Sequence, residues 1–157
     1  MLKDILVAIL EDDVFSRNWM ALMLVRDWRT RLVGEFSNQI ELCQYLEGSQ
    51  ISFDVLILDV DLFGENYLVN DICQSLVGEN RTVKILLTGV QPDVRVLRQI
   101  QDERVSGYVL KEEVGYSLSW VIAFLAQGHW VMTPGTHQLA YRNNYPLPEK
   151  KMILDGR

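Results

Sequence analysis

The run Phe-Asp-Val-Leu-Ile-Leu-Asp-Val-Asp at residues 53–61 decides the fold of this chain. It begins as a near-continuous apolar segment with branched side chains, which is typical of a parallel strand buried on both faces. It ends in Asp59 and Asp61, and the polar residues 64–66 then mark a turn. Because ligands of open α/β sheets bind beyond the carboxyl ends of the strands, Asp59 is a candidate for chemistry rather than for packing.

Segments of strand and helix character alternate along the chain. Strands are predicted near residues 5–10, 32–36, 53–59, 83–87 and 105–110, and the helices that follow them have apolar faces at Phe15, Leu42, Ile72, Leu97 and Val121. This β-α unit occurs five times with short connections. The order predicts an α/β fold, a doubly wound parallel sheet covered by helices on both faces.

Several helix ends are also predicted. Asn38 and Glu41 have the spacing of a capping box at the second helix. Pro92 suits the first turn of the fourth helix, and Gly128 suits the C-terminal cap of the fifth.

The C-terminal part of the chain is less regular. After Gly128 the periodicity weakens, and the stretches at residues 133–136 and 146–148 are typical of a linker. We therefore expect residues 1–128 to form one domain and residues 129–157 to form a linker or C-terminal extension. Within that extension, only residues 148–154 have the character of another helix.

Charge and composition argue against several classes of protein. The 157 residues carry a net charge of −6 with a pI near 4.9, which argues against direct binding of nucleic acid. No apolar run approaches the roughly 18 residues that a membrane span needs, and the N-terminus lacks the cleavage region of a signal peptide. Cys43 and Cys73 have no Cys-x-x-Cys spacing, so reduced thiols are favoured over a disulfide. The sequence therefore predicts a cytoplasmic protein.

Residues whose side chains can react or bind ligands follow four of the five predicted strands. Glu11 and Asp12 follow the first, Asp59 the third, Thr88 the fourth and Lys111 the fifth. In a parallel sheet these ends lie along one edge, so the side chains are expected to converge. Carboxylates from two strands suit a hard cation such as Mg²⁺, and a hydroxyl with an ammonium group suits phosphoryl oxygens. A carboxylate beside both is a candidate phosphoryl acceptor.

This constellation resembles the receiver domain of two-component response regulators, from residue 3 to about residue 128. The matching residues are Glu11-Asp12, Asp59, Thr88-Gly89 and the run at 107–111. The spacings match as well, with 29 residues from Asp59 to Thr88 (88 − 59) and 23 from Thr88 to Lys111 (111 − 88). The resemblance implies a flavodoxin-like fold with five parallel strands in the order 2-1-3-4-5. It also implies that Asp59 accepts a phosphoryl group from a sensor histidine kinase, which would make the chain a signalling switch rather than an enzyme.

The resemblance further implies a magnesium site. Asp12 and Asp59 would ligate Mg²⁺ directly, Glu11 would act mainly through bound water, and Asp61 would contribute its backbone carbonyl. The acidic pair of the family pattern could also be aligned one residue later in this chain, and that alignment would include Asp13. A pair directly after the first strand favours the former alignment.

The resemblance also implies roles in phosphoryl binding and in the conformational switch. Thr88 and Lys111 would contact the phosphoryl oxygens, and Tyr108 matches the aromatic residue whose rotamer reports phosphorylation. Movement of Thr88 and Tyr108 would change the face made by the fourth helix, the fifth strand and the fifth helix. On that last helix, Trp120 and Phe124 either extend the core or form a surface for a homodimer or another partner.

Three positions depart from the family pattern. Phe63 and Tyr67 stand where a proline and a glycine are often found, which alters the loop beside the site. Glu112 stands where a cis proline is common; because cis costs about 2.5–4 kcal/mol without proline, we expect a trans bond or a rearranged loop. A Leu-Lys-Glu ending resembles regulators with LuxR-type DNA-binding output, and residues 148–154 loosely resemble the opening of such an output domain.

Two other functions are compatible with parts of the pattern. The Asp-Val-Asp motif resembles the nucleophile motif of haloacid-dehalogenase-type phosphatases, but there the second acidic pair follows the lysine, whereas here Glu11-Asp12 comes first. A receiver fold that serves as an interaction module without phosphorylation is the second alternative, suggested by Phe63 and Tyr67.

Overall fold

A parallel sheet of seven strands runs through the computed structural model, which describes residues 4–48, 52–62 and 69–157, apart from the side chain of residue 79. The strands are β1 (Ile5–Leu10), β2 (Thr30–Phe36), β3 (Val55–Asp59), β4 (Lys84–Gly89), β5 (Val105–Leu110), β6 (Trp130–Met132) and β7 (Lys151–Ile153). Their order is β2-β1-β3-β4-β5-β6-β7, and each neighbouring pair is parallel.

Helices cover both faces of this sheet. They are α1 (Val14–Val25), α2 (Gln39–Gly48), α3 (Val69–Ser75), α4 (Val94–Gln99), α5 (Lys111–Val114), α6 (Leu118–Ala126) and α7 (Pro134–Arg142), with 3-10 turns at Gly78–Asn80 and Gly115–Ser117. Because side chains alternate along a strand, β1 and β3 send one set of residues into each of two cores. One core lies under α1 and α6, and the other lies under α2, α3, α4 and α7.

The number of strands differs from the five that the sequence predicts. The first five strands have the predicted order 2-1-3-4-5, but residues 129–157 add β6, α7 and β7 to the same sheet. Residues 148–154, predicted as the start of a helix, contain β7 instead. Pairing decides this outcome: the N–H of Trp130 donates to the carbonyl of Lys150, and the N–H of Leu154 donates to the carbonyl of Met132.

The predicted helix ends are mostly present. The N–H of Glu41 donates to the side chain of Asn38, and the Glu41 carboxylate accepts from the N–H of Ser37. Gly128 has a φ of +92°, which glycine adopts without the strain that another residue would have. Pro92, however, lies before α4 rather than in its first turn, because Asp93 is the N-cap.

Two further expectations concern the whole chain. Both cysteines are free, with Cys73 buried and Cys43 partly buried. Among the described residues, no helix combines the length and apolar character required to cross a membrane.

Candidate functional site

Four strands place the predicted residues at one edge of the sheet. Glu11 follows β1, Asp59 ends β3, Thr88 lies near the end of β4, and Lys111 follows β5. Asp59 and Thr88 are direct partners in the register of β3 with β4. The common direction of the strands therefore brings together residues that are up to 100 positions apart in the sequence.

An ammonium group lies between two buried carboxylates at this edge. Lys111 Nζ lies 2.8 Å from Glu11 Oε1 and 3.3 Å from Asp59 Oδ1. Glu11 is 0% exposed and Asp59 is 3% exposed. Charges in such an environment interact more strongly than they would in water, so the lysine holds the two acidic groups together.

The protonation of these groups departs from ordinary values. Burial raises the pKa of Glu11 to about 8, although its hydrogen bond with Lys111 acts in the opposite direction. Burial also raises the pKa of Asp59. For Lys111, burial acts to lower the pKa, but the hydrogen bond to Glu11 and the charge of Asp59 outweigh it and raise the pKa. Lys111 alone therefore does not offset the burial of both acidic groups in their ionised form, and a bound metal ion would supply the missing positive charge.

Three carboxylates at this edge form a cluster that could hold a metal ion. Oxygen atoms of Glu11, Asp12 and Asp59 lie within 4.8 Å of one another. Glu11 Oε2 is buried without a hydrogen-bond partner among the described residues. Asp59 Oδ1 is also buried; it has the 3.3 Å ion pair with Lys111 Nζ but no hydrogen bond within the described part of the chain. Because Mg²⁺ takes carboxylate oxygens and retains several waters, a set of two buried oxygens and the exposed Asp12 fits this ion.

The neighbouring acidic residues have other contacts. Asp13 is the N-cap of α1, and its Oδ2 accepts from the N–H of Ser16 over 2.9 Å. This contact favours the pair Glu11 and Asp12 over the alignment that includes Asp13. The side chain of Asp61 accepts from the N–H of Val90 over 3.2 Å.

Thr88 on β4 and Tyr108 on β5 lie on the side of Asp59 that faces away from β1. Thr88 is 2% exposed, and its Oγ1 has no hydrogen-bond partner within the described part of the chain. Tyr108 is fully buried; its hydroxyl accepts from the N–H of Asp93 over 3.2 Å and donates to the carbonyl of Gln91 over 3.4 Å. Burial raises the pKa of Tyr108 to about 12, so the phenol stays protonated at neutral pH. The ring therefore points inward beneath the β4–α4 connection.

The positions that depart from the family pattern have separate outcomes. Phe63 and Tyr67 lie outside the described residues. The described peptide bonds include no cis bond, so Lys111–Glu112 is trans, as expected. Residues 111–114 form the short helix α5.

Sequence reasoning missed several residues around the site. Arg17 Nη1 donates to the carbonyl of Glu11 over 2.8 Å, and the hydroxyl of Ser16 lies 3.5 Å from Lys111 Nζ. Both stand on α1, where no motif distinguishes them from other surface residues. Thr133 and Thr136 contact β5 from the C-terminal part of the chain. The pair Thr133-Pro134 is itself a helix-start signal, since proline is favoured at the first helical position.

The strand order and the acidic edge define the class: this chain has the flavodoxin-like fold of response-regulator receiver domains. The solved structures that it resembles include RcsB, a response regulator. The isolated receiver domain of RcsB from Salmonella enterica serovar Typhimurium, in the presence of the phosphomimetic BeF3-, shares 21% identity with a TM-score of 0.71, covering 87% of this chain and 99% of that one. The non-phosphorylated receiver domain of the stress response regulator RcsB from Escherichia coli shares 21% identity with a TM-score of 0.67, covering 83% and 98%.

A longer RcsB structure extends the similarity. The complex of the two-component response regulator RcsB with DNA shares 19% identity with a TM-score of 0.75 and covers 94% of this chain and 73% of that one. No protein-family model and no curated protein sequence matches the chain. The similarity at these identities is therefore one of fold.

Proposed function

We propose that this chain is the phosphoacceptor receiver of a two-component system, in which Asp59 takes a phosphoryl group from a phosphohistidine of a sensor histidine kinase in the presence of Mg²⁺. One observation carries the proposal: Lys111 Nζ lies 2.8 Å from Glu11 and 3.3 Å from Asp59. Beside these groups, the buried hydroxyl of Thr88 has no partner among the described residues. Together these groups supply a nucleophile, a counter-charge and a free donor for a tetrahedral anion.

Asp59 is the nucleophile in this reaction. One of its carboxylate oxygens forms the new O–P bond while the P–N bond of the phosphohistidine breaks, and the imidazole leaves as a neutral base after taking up a proton. Lys111 stabilises the ionised form of Asp59, whose burial raises its pKa and so opposes ionisation. Nucleophilic attack therefore depends on the ammonium group that already lies beside the carboxylate.

Glu11, Asp12, Asp59 and the backbone carbonyl of Asp61 would hold the metal. When bound there, Mg²⁺ supplies neutralisation of the charge on the phosphoryl oxygens. Lys111 and Thr88 bind the oxygens on the other side of the phosphorus and keep the phosphoryl group aligned. The chain thereby promotes its own phosphorylation and dephosphorylation, and it acts as a switch rather than as an enzyme for a separate substrate.

The response to phosphorylation is a shift between two conformations. Thr88 would move toward the phosphoryl group. The inward movement expected of Tyr108 would need no further step, because its ring is already fully buried. In the structure, β5 is paired with β6, and α7 packs against α4 and β5. The open part of the proposed dimer or partner face includes α6, where Trp120 is 53% exposed and the guanidinium of Arg29 stacks on its ring at 4.0 Å.

A transcriptional output is the most direct extension of the proposal. Its support is the fold similarity to RcsB, one of whose solved structures is a complex with DNA. Because the 157 residues carry a net charge of −6, we expect them not to bind DNA directly. A mobility shift with duplex DNA at physiological salt should therefore be negative for this chain.

The experiment that tests the proposal is phosphorylation by acetyl phosphate in the presence of Mg²⁺. Intact-mass measurement should show the gain of one phosphoryl group, and chelation of the metal should prevent the gain. Asp59→Asn should gain none. If the wild-type mass does not change, the proposal fails and the alternative of a receiver-like interaction module without phosphorylation is favoured. If Asp59→Asn is labelled to the same extent, Asp59 is not the acceptor and the proposal fails as well.

A further inference from the structure

Two buried threonines hold the last residues of β5 from the C-terminal side. β6 ends at Met132, and beyond it Thr133 and Thr136 are each 0% exposed. Thr136 Oγ1 donates a hydrogen bond to the carbonyl of Tyr108, and the N–H of Leu110 donates to Thr133 Oγ1 over 3.0 Å. The hydroxyls thus replace the strand-to-strand hydrogen bonds that end with β6.

A third contact follows on the far side of Lys111. The carboxylate of Glu113 accepts from the N–H of Gly135, at 2.8 Å and 3.1 Å for its two oxygens. The carbonyl of Glu113 also accepts from the N–H of Gly156 over 2.8 Å. The backbone of Lys111 is therefore fixed before and after the residue by groups from one C-terminal segment.

These contacts matter because the backbone groups of β5 are buried. Without the threonine hydroxyls, the carbonyl of Tyr108 and the N–H of Leu110 would lose their partners away from water, which native structures avoid. The end of β5 would then be free to shift, and Lys111 would shift with it. A misplacement of about 1 Å in a positioned group can cost roughly 100-fold in a reaction.

We propose that Thr133 and Thr136 are positioning residues for the phosphoryl site, and that the C-terminal unit (β6, α7 and β7) thereby regulates the affinity of this site for a phosphoryl group. The inference rests on the proposed function at Asp59. Coupling between two sites is reciprocal, so a phosphoryl group on Asp59, in contact with Lys111, stabilises the docking of the C-terminal unit by the same factor.

Beryllofluoride, titrated in the presence of Mg²⁺ and detected by its bound fluorine resonances, is the probe. Thr133→Val and Thr136→Val replace the hydroxyl with a methyl group and also break the capping box of α7. Each should weaken beryllofluoride binding about tenfold, which corresponds to about 1.4 kcal/mol. Thr133→Ser and Thr136→Ser keep the hydroxyl and should bind close to the wild-type level. All titrations are made well below the unfolding temperature of each variant.

Thr30→Val is the matched control. Thr30 is also buried, at 6% exposure, and its hydroxyl donates to the carbonyl of Leu24 over 2.7 Å, but it stands on β2 at the opposite edge of the sheet. It should lose stability as the other valine variants do and keep wild-type affinity. A loss of affinity equal to that of the Thr133 and Thr136 variants would show a general effect of stability and overturn the inference.

The wild type provides a second measurement that needs no variant. Beryllofluoride should slow amide hydrogen exchange in residues 130–154, and unchanged exchange there would overturn the inference. If the wild type binds beryllofluoride and both valine variants bind it equally well, only the positioning role fails. If the wild type binds none, the proposed function fails and the inference fails with it.

Discussion

The stability of the metal-free protein should fall as the pH rises from about 5 to about 8. The cause is Glu11, whose pKa rises from 4.5 to about 8 because the folded chain buries it. A group with a raised folded pKa binds its proton more tightly in the folded state. Its contribution to stability is therefore complete below the unfolded value and is lost as the pH rises through the folded value.

The size of the effect follows from the number of protons. One proton that is held only by the folded state gives a slope of about 1.4 kcal/mol per pH unit. With an m-value of about 2 kcal/mol/M in urea, the unfolding midpoint should fall by up to roughly 0.7 M per pH unit. The raised pKa of Asp59 acts in the same direction, whereas the raised pKa of Lys111 has no effect in this range because its ordinary value is already 10.5.

Urea unfolding at pH steps from 5 to 8, with a chelator present, measures this slope. Glu11→Gln keeps the shape of the side chain and removes the titrating proton, so its profile should be flatter. Glu41→Gln is the comparison, since Glu41 is exposed and its pKa is lowered by hydrogen bonds from Ser37. Mg²⁺ should restore stability most at the high end of the range, because the ion competes with the proton for the same oxygens. A wild-type midpoint that is constant or rises between pH 5 and 8 would refute the reasoning.

Three substitutions test the remaining contacts. Lys111→Met removes the cation between two buried carboxylates, so the free energy of unfolding should fall by about 3–5 kcal/mol at high pH. Labelling by acetyl phosphate should be lost as well. Unchanged labelling would exclude Lys111 from the site. Thr88→Val removes a hydroxyl that has no partner among the described residues. The metal-free protein should therefore change in stability by less than about 1 kcal/mol, whereas its affinity for beryllofluoride should fall. A large loss of stability in urea would show a structural role instead. Tyr108→Phe removes the hydrogen bonds to Asp93 and Gln91 and should cost about 1 kcal/mol, seen as a calorimetric midpoint lower by about 2–4 °C; an unchanged midpoint would mean that the phenol contributes nothing.

The core of the fold was predictable because its strands are long apolar runs. Residues 5–10 and 53–59 have no competing periodicity, and each is followed by a helix pattern, which leaves a parallel sheet as the consistent solution. The positions of Glu11, Asp59, Thr88 and Lys111 followed directly, since each stands at the carboxyl end of such a strand. Their convergence in the structure therefore depends on strand direction rather than on any local motif.

The C-terminal unit could not be predicted in the same way. β6 and β7 have three residues each, too few to show a period. They form strands because β5 offers an unpaired edge, and that edge exists only after the rest of the sheet has formed. The helical preference of residues 148–154 was overridden by this tertiary pairing. Thr133-Pro134 is ambiguous in isolation, since the same two residues suit a linker and the start of a helix.

Phosphorylation by phosphoramidate is the most direct test of the central claim, because this small donor has the P–N bond of a phosphohistidine. The protein is incubated with phosphoramidate and Mg²⁺, and the modified residue is identified by peptide mass spectrometry. Asp54→Asn serves as the control; Asp54 lies just before β3, and its side chain accepts from the N–H of Leu6. We predict one phosphoryl group on Asp59 in the wild type and in Asp54→Asn, and none in Asp59→Asn. A phosphoryl group on any other residue, or none in the wild type, would contradict the account.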